Sequence, residues 1–379
     1  MAKYLRLVPP LEEKRIRYVV VGLGYIAQAA VLPAFKNARE NSKLIGLISD
    51  HSKKLKELSK KYGTQLNGSY DEFEKILETG EVDAVYIALP NHLHLEYVER
   101  AARLGIHVLC EKPLAVTVAD CERMIQMAKL HHIKLMVAYR LHFEAANLKA
   151  IQMVESGKLG EAKYFESAFS MQIKSPNIRT NDIQMGGGTL YDIGIYCINA
   201  ARNLFQAEPE EVFAMSSKNN DPRFEKIDET TISCLKFPGD RLATFATSFG
   251  ADDQSVYKIV GTKGSLELEN AYEWQSSIIQ SLKIKGKISK KVFPKRDQFA
   301  PELIYFSKCI LEDLKVEPSG EEGLLDVKVI QALYESTERG VPVKIDSSLK
   351  KELRPSIEQE INVPAFHKQK LISVNLPHS

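Results

Sequence analysis

Lys112 lies in the run Cys110-Glu111-Lys112-Pro113, and far downstream Asp192 and Tyr196 stand four residues apart, after Gly186-Gly187-Gly188. That spacing is about one helical turn, so both side chains are expected on one helix face, where they can meet one ligand. A lysine and a tyrosine brought together suit alcohol oxidation, which removes a hydride from carbon and a proton from oxygen. Free tyrosine titrates near ~10 and is a poor base at neutral pH. An ammonium about 4 Å away favours the phenolate by on the order of 4 kcal/mol at an effective dielectric of about 20, and half of that is adequate. On this reading Lys112 orients the substrate oxygen and lowers the tyrosine pKa, Tyr196 shuttles the proton, and Asp192 hydrogen-bonds another hydroxyl. Which of Lys112 and Tyr196 carries the proton first stays open, and a helical tyrosine taken alone is usually a packing residue.

Such a reaction needs a hydride carrier, and Gly22-Leu23-Gly24-Tyr25-Ile26-Ala27 offers a place for one. It follows the β-branched run Val19-Val20-Val21 and leads into a helix-compatible stretch from Gln28 to Ala38. Strand, glycine turn and helix make a dinucleotide fingerprint. Gly22 permits the turn, Gly24 lets backbone approach a pyrophosphate, and Ala27 allows close helix packing, with Tyr25 and Ile26 at the helix N-terminus facing the phosphates. Glu111 and Lys112 end the apolar run Val108-Leu109-Cys110, at the strand end where ligands of an α/β sheet collect, and Pro113 stops that strand and fixes the backbone. Leu89, Pro90, Asn91 and His94 end another strand, where Asn91 and His94 either touch nicotinamide or ribose or cap the next helix.

The nucleotide type turns on Ile48-Ser49-Asp50-His51-Ser52-Lys53-Lys54. If Ser49 holds the critical position, Lys54 reaches a 2′-phosphate and Asp50 points elsewhere, which selects NADP. If Asp50 faces the ribose, it repels each phosphate charge at about 6 Å by on the order of 2–3 kcal/mol, which selects NAD. NADP is the favoured expectation.

Spacing of apolar residues places these groups on an α/β frame. Strands are expected at Lys43 to Ile48, Val82 to Leu89, His107 to Cys110 and Lys134 to Ala138, separated by amphipathic stretches such as Thr117 to His131. The alternation calls for a doubly wound parallel sheet over residues 1–138. Longer alternating segments follow at Glu161 to Ile173, Glu210 to Ser216, Thr230 to Phe237 and Arg241 to Ser248, the last two joined by the turn signal Pro238-Gly239-Asp240. With helices at Pro301 to Leu314 and Leu324 to Arg339, residues 139–346 read as an α+β region with a large, mostly antiparallel open sheet. Residues 347–379 are polar and proline-punctuated, an extended tail that wraps a neighbouring subunit or stays disordered.

Composition sets the remaining bounds. A net charge of +2, from 51 basic and 49 acidic residues, gives no basic stripe for nucleic acid, and Lys53 to Lys61 reads as a solvated helix face. Five scattered cysteines without CxxC spacing read as reduced thiols. The doublet His131-His132 and the pair His92 and His94 lack a completing carboxylate or cysteine, so no metal is assigned. Glycines, Gln28 and Pro33 interrupt the apolar stretch Tyr18 to Phe35, which makes it a poor membrane span. Met1 to Arg6 lacks a signal-peptide core, so a cytoplasmic location is expected.

The chain resembles the glucose-fructose oxidoreductase/inositol dehydrogenase/MocA (Gfo/Idh/MocA) family through the glycine fingerprint, Pro90-Asn91-xx-His94, Gly105-x-His107-x-x-x-Glu111-Lys112-Pro113 and Gly261-Thr262-Lys263-Gly264. Gly186 to Tyr196 looks most like the glucose-fructose oxidoreductase branch, although many relatives carry histidine where Tyr196 stands. The resemblance implies an NAD(P)-dependent oxidoreductase acting on a sugar or polyol, with Lys112, Asp192 and Tyr196 as its catalytic positions. By the same analogy Arg140, His142 and Arg179 line the substrate cleft, although Ile178 stands where the family commonly has tryptophan. It further implies a homodimer or homotetramer formed through the second sheet. Members of that branch carry a long leading segment that helps retain the nucleotide; with about 15 residues ahead of the first strand, this chain is expected to exchange it. Two other functions fit the same scaffold: a redox-inert nucleotide-binding sensor, and a glycoside-cleaving enzyme that oxidises transiently.

Overall fold

The computed structural model describes residues 14–174, 177–346, 353–374 and 376. The signal-peptide reading of Met1 to Arg6 falls outside them. β1 (Ile16–Val21), β2 (Ser42–Ile48), β3 (Leu66–Gly68), β4 (Ala84–Ile87), β5 (His107–Glu111) and β6 (Leu135–Ala138) form a parallel sheet in the order β3-β2-β1-β4-β5-β6. Tyr18, Val19, Val20 and Val21 are all fully buried, as a strand covered on both faces requires. The glycine turn leads into a helical segment that is π-helical over Ala27–Val31 and continues into α1 (Leu32–Ala34). α2 (Ser52–Tyr62), α3 (Phe73–Leu77), α4 (His94–Arg103) and α5 (Val118–Leu130) follow. Thr117 caps α5 by accepting a hydrogen bond from the Asp120 amide at 3.0 Å. The strand order reverses between β1 and β4, which opens a crevice at their carboxyl ends.

The second sheet has nine strands: β7 (Ala162–Ser170), β8 (Glu211–Ser217), β9 (Thr230–Phe237), β10 (Arg241–Ser248), β11 (Gln254–Gly261), β12 (Gly264–Glu269), β13 (Ile278–Ile284), β14 (Lys287–Phe293) and β15 (Val343–Lys344). Their order is β14-β13-β12-β11-β7-β10-β9-β8-β15, and only the β7–β10 pair is parallel. The β9–β10 turn holds Gly239 at φ +76° and Asp240 at φ +55°, the left-handed pair that a tight hairpin demands. α6 (Ala145–Glu155) and α7 (Ile195–Phe205) pack on this sheet, α8 (Ala300–Leu311) packs back on β1 and β2, and α9 (Gly320–Arg339) lies between β8 and α5. The Val137 amide donates to the Pro318 carbonyl at 3.1 Å, so chain from the second half covers the β6 edge.

The described part of the tail lies along its own chain. Arg354 donates to Glu208 at 2.7 Å, Gln359 to the Glu317 carbonyl at 3.0 Å, and Asn37 to the Pro364 carbonyl at 2.9 Å. Side-chain donors and acceptors thus replace the regular backbone ladders that this proline-punctuated segment does not build.

Candidate active site

The crevice at the β1–β4 reversal widens into a cavity of about 870 Å³ that reaches from the first sheet to the second. Gly22 turns the chain at φ +93°, against the Ala88 carbonyl, where a Cβ would collide. A Cβ on Gly24 would meet nothing within 4 Å, because that backbone faces the open cavity. These are the two properties a pyrophosphate cradle needs, so the glycine loop fits a dinucleotide. Tyr25 and Ile26 line the cavity beside it. Ala27 does not; it is fully buried and packs in the core, so its part is helix packing and not nucleotide contact.

At the end of β2, Ser49, Asp50, His51 and Lys54 all line the cavity. Asp50 accepts a hydrogen bond from the Tyr70 amide at 2.9 Å, which engages one of its carboxylate oxygens. Ser49 accepts from the His51 amide at 3.2 Å, and partial burial lowers the Lys54 ammonium from its usual range. A cation and a hydroxyl are therefore presented at the position that distinguishes the two nucleotides.

Leu89, Pro90 and Asn91 line the middle of the cavity, where Asn91 donates to the Gly186 carbonyl at 2.8 Å and ties the β4 end to the triple-glycine segment. His94 corrects the sequence reading. It is fully buried, with Nδ1 2.9 Å from the Pro113 carbonyl and Nε2 3.0 Å from the Leu89 carbonyl, and it is spent on bracing the Lys112 loop against the β4 end. Glu111 lines the cavity and accepts from the Tyr86 hydroxyl at 2.8 Å; burial pushes its carboxyl up, against the pull of Lys112.

The reacting corner draws on a strand end of the first sheet and on the helix that packs on the second. Lys112 leaves the end of β5, while Asp192 sits in a π-helical turn (Leu190–Gly194) that runs into α7, the helix carrying Tyr196. Lys112 Nζ donates to the Asp192 carbonyl at 2.8 Å and to Asp192 Oδ1 at 3.4 Å. It also lies over the Tyr196 ring, 4.9 Å from the centroid, and the Arg140 guanidinium lies 5.0 Å from the same centroid. Among the described residues no hydrogen bond joins Lys112 to the Tyr196 hydroxyl, so the ammonium meets the ring rather than the phenol oxygen. Burial works against the Lys112 charge, yet neighbouring Tyr196, Asp192 and Glu111 outweigh it and raise its pKa. Burial likewise opposes the Asp192 carboxylate, but Arg179 and Lys112 hold it below the usual range. Arg179 Nε donates to Asp192 Oδ2, so Asp192 is bound on both oxygens.

Arg140 and Arg179 line the cavity as expected, and Arg140 is fixed by Gln298 and by the Tyr272 carbonyl. His142 does not reach it. Both residues lie in one 3-10 turn, which sends Arg140 toward the cavity and His142 into a sealed polar cluster, 2.9 Å from Glu317 and 2.8 Å from Asn199. The sequence reading missed the wall formed by Tyr272, Trp274 and Gln275, between β12 and β13, and missed Phe169 on β7. One signal was present: Trp274 is the chain's only tryptophan, in a short polar stretch. Among the described residues, no group of three or more His, Cys, Asp or Glu side chains could hold a metal, and no helix is long and apolar enough to cross a membrane.

A parallel sheet with a glycine turn at its strand-order reversal, opening onto a lysine from the end of β5 and a tyrosine from α7, defines a nicotinamide-dependent oxidoreductase. Comparison with known proteins gives the particular family. Residues 16–139 match the Gfo/Idh/MocA oxidoreductase family's NAD-binding Rossmann fold, and residues 147–267 match the Gfo/Idh/MocA C-terminal domain. The chain is 32% identical over 338 residues to D-xylose 1-dehydrogenase [NADP(+)] of Haloarcula marismortui, covering 87% of this chain and 93% of that protein. Aldose-aldose oxidoreductase from Caulobacter crescentus, solved with glycerol, superposes with a TM-score of 0.84 at 36% identity, covering 88% of this chain and 100% of that one. A 3-ketoreductase from Actinomadura kijaniata, solved with NADP and TDP-benzene, gives a TM-score of 0.77 at 26% identity, covering 85% and 98%. The chain belongs to the Gfo/Idh/MocA family and is an NAD(P)-dependent oxidoreductase.

Proposed function

We propose that the protein is an NADP-dependent oxidoreductase that interconverts an alcohol carbon and a carbonyl on a sugar or polyol. The observation that carries this reading is the convergence of Lys112, from the end of β5, and Tyr196, from α7, on the cavity that the glycine loop opens. Bound NADP supplies a hydride acceptor, or NADPH a donor. The residues present fit it: the glycine loop for the pyrophosphate, Ser49 and Lys54 for the 2′-phosphate, and Glu111 and Asn91 on the way to Lys112. Relatives that act on D-xylose and on aldoses support a sugar substrate, and the NADP named for the D-xylose dehydrogenase and the 3-ketoreductase supports the nucleotide choice.

Lys112 is held as an ammonium by Asp192, so it has no lone pair with which to take a proton. Its role is to donate a hydrogen bond to the substrate oxygen, which favours the alkoxide as the carbon gives up its hydride. Tyr196, with the Lys112 and Arg140 cations flanking its ring, takes the hydroxyl proton in the same step. Asp192, bound by Lys112 and Arg179, sets the position of both cations and offers substrate hydroxyls a negative edge. Tyr272 and Phe169 furnish aromatic wall against the sugar carbons.

The test is nicotinamide absorbance with a panel of aldoses, ketoses and polyols, run with both nucleotides. Turnover is expected with NADP, and Tyr196→Phe should lower kcat by about 10²-fold or more while leaving nucleotide affinity unchanged. Tight nucleotide binding without turnover of any sugar would instead establish the redox-inert sensor.

The outer face of the second sheet supports a homo-oligomer. Met215 sits opposite Ile232 and Leu242 opposite Tyr164, and the register places all four exposed apolar side chains on one face. Light scattering should give a dimer or tetramer mass, and Ile232→Glu with Leu242→Glu should reduce it. A monomeric wild-type protein would end this part of the reading.

A further inference from the structure

The geometry points to a nucleotide cover built from the loop between β12 and β13 and strapped shut by the C-terminal tail, so that nucleotide release is gated by the tail. This rests on the proposed nucleotide site and concerns residues outside the reacting corner. Trp274 and Gln275 both line the cavity. Gln275 Nε2 donates to the Tyr25 hydroxyl at 3.2 Å, which joins the loop of the second sheet to the helix that follows the glycine turn. Bridging these two positions closes a path over the place where the pyrophosphate would lie. The Trp274 ring is held from behind, 5.5 Å from Phe299 and 6.3 Å from Phe366, the latter a tail residue.

The same tail grips the glycine loop itself. Gln28 is almost fully buried, and its side chain forms a two-way hydrogen-bonded pair with the Ile372 backbone, accepting from the amide at 2.8 Å and donating to the carbonyl at 3.1 Å. Gln28 Nε2 also donates to the Leu23 carbonyl, inside the glycine turn, at 2.9 Å. Further along, Lys61 donates to Gln369 at 2.9 Å, and Val363, Phe366 and Ile372 pack on the core beneath the glycine helix. If the tail leaves, the buried Gln28 amide loses both of its hydrogen bonds to Ile372 and Trp274 loses one of its braces. Tail departure and loosening of the cover are therefore one coupled event, and exchange of the nucleotide requires it.

Trp274 provides the measurement, because as the only tryptophan its emission reports the cover directly. NADPH binding, without sugar, should quench Trp274 emission and sensitise the nicotinamide fluorescence. Stopped-flow displacement of NADPH by excess NADP should then be about tenfold faster in a chain ending after Asn362, which keeps the Arg354 and Gln359 contacts, and about threefold faster in Phe366→Ala. Release rates within about twofold of wild type in both variants, with native circular dichroism, would overturn the strap. Unchanged Trp274 emission on NADPH binding would overturn the cover. Faster release in a protein that turns over no sugar leaves this inference standing while the proposed substrate falls; failure of the intact chain to bind NADPH sinks both.

Discussion

Two clusters of buried charge lie along the same helix and differ in what they face. At the start of α7, Lys112, Asp192 and Arg179 surround a corner of the cavity. Further along it, Arg202 is paired with Glu208, Glu322 and Asp326, and His142 with Glu317, all at or below one-tenth exposure. In the second cluster the hydrogen-bonding capacity is spent internally: Asn199 donates to Glu322 and Asp326, and the Tyr139 hydroxyl also donates to Asp326. Burial and Glu322 push the Asp326 carboxyl up, to about 6, against the pull of Arg202. In the first cluster the ammonium directs two hydrogen bonds at Asp192, which leaves a third N–H for a ligand. Burial of charge is common to both; a spare donor beside open space belongs only to the first. The clusters should therefore fail differently when their cations are removed.

Lys112→Met is expected to lower kcat by about 10³-fold, because the substrate oxygen loses its donor and Tyr196 one flanking cation, with little change in urea midpoint. Arg202→Met should do the reverse, costing about 3–5 kcal/mol of stability by leaving buried carboxylates uncompensated, while the fraction that stays folded turns over normally. Steady-state kinetics and urea unfolding on both variants decide it. A Lys112→Met protein that loses stability and keeps kcat, or an Arg202→Met protein that does the opposite, would erase the distinction.

The same contrast explains what could be read from residues alone. Thr230–Phe237 and Arg241–Ser248 were legible to the residue, since period-two alternation and a Pro-Gly-Asp turn leave one solution. The glycine turn and the Lys112 loop were legible because each depends on local backbone geometry at a strand end. His142 was misplaced for a complementary reason: spacing tells which strand end a residue follows, but not which side of a 3-10 turn it leaves, and Arg140 and His142 leave it differently. His94 offered a structural and a ligand reading, and only the three-dimensional position of the Pro113 and Leu89 carbonyls separates them. β3 escaped notice because Leu66-Asn67-Gly68 is too short and too polar to carry a period. The tail and Trp274 depend on contacts between distant segments, for which a single sequence holds no periodic signal.

Glu302 belongs to neither cluster and gives the smallest test. It is fully buried on α8, and among the described residues neither carboxyl oxygen has a hydrogen-bond partner. Burial pushes its pKa far above the ordinary 4.5, Glu111 pushes it further, and Arg140 opposes them. The folded protein therefore keeps this proton where the unfolded chain has released it. The sign follows from linkage: Glu302 costs nothing below its ordinary value and lowers stability as pH rises above it, by about 1.4 kcal/mol per unit, until the folded carboxyl ionises. Glu302→Gln keeps the shape and removes the titration, so by that slope it should stabilise the protein by about 3 kcal/mol at pH 7, less the cost of burying an unpaired amide, and flatten the fall in stability above about pH 5. Urea unfolding across that range reads both effects. An unchanged slope would mean that Glu302 is ionised in the folded state and that a cation or water compensates it, which would align it with the Arg202 cluster after all.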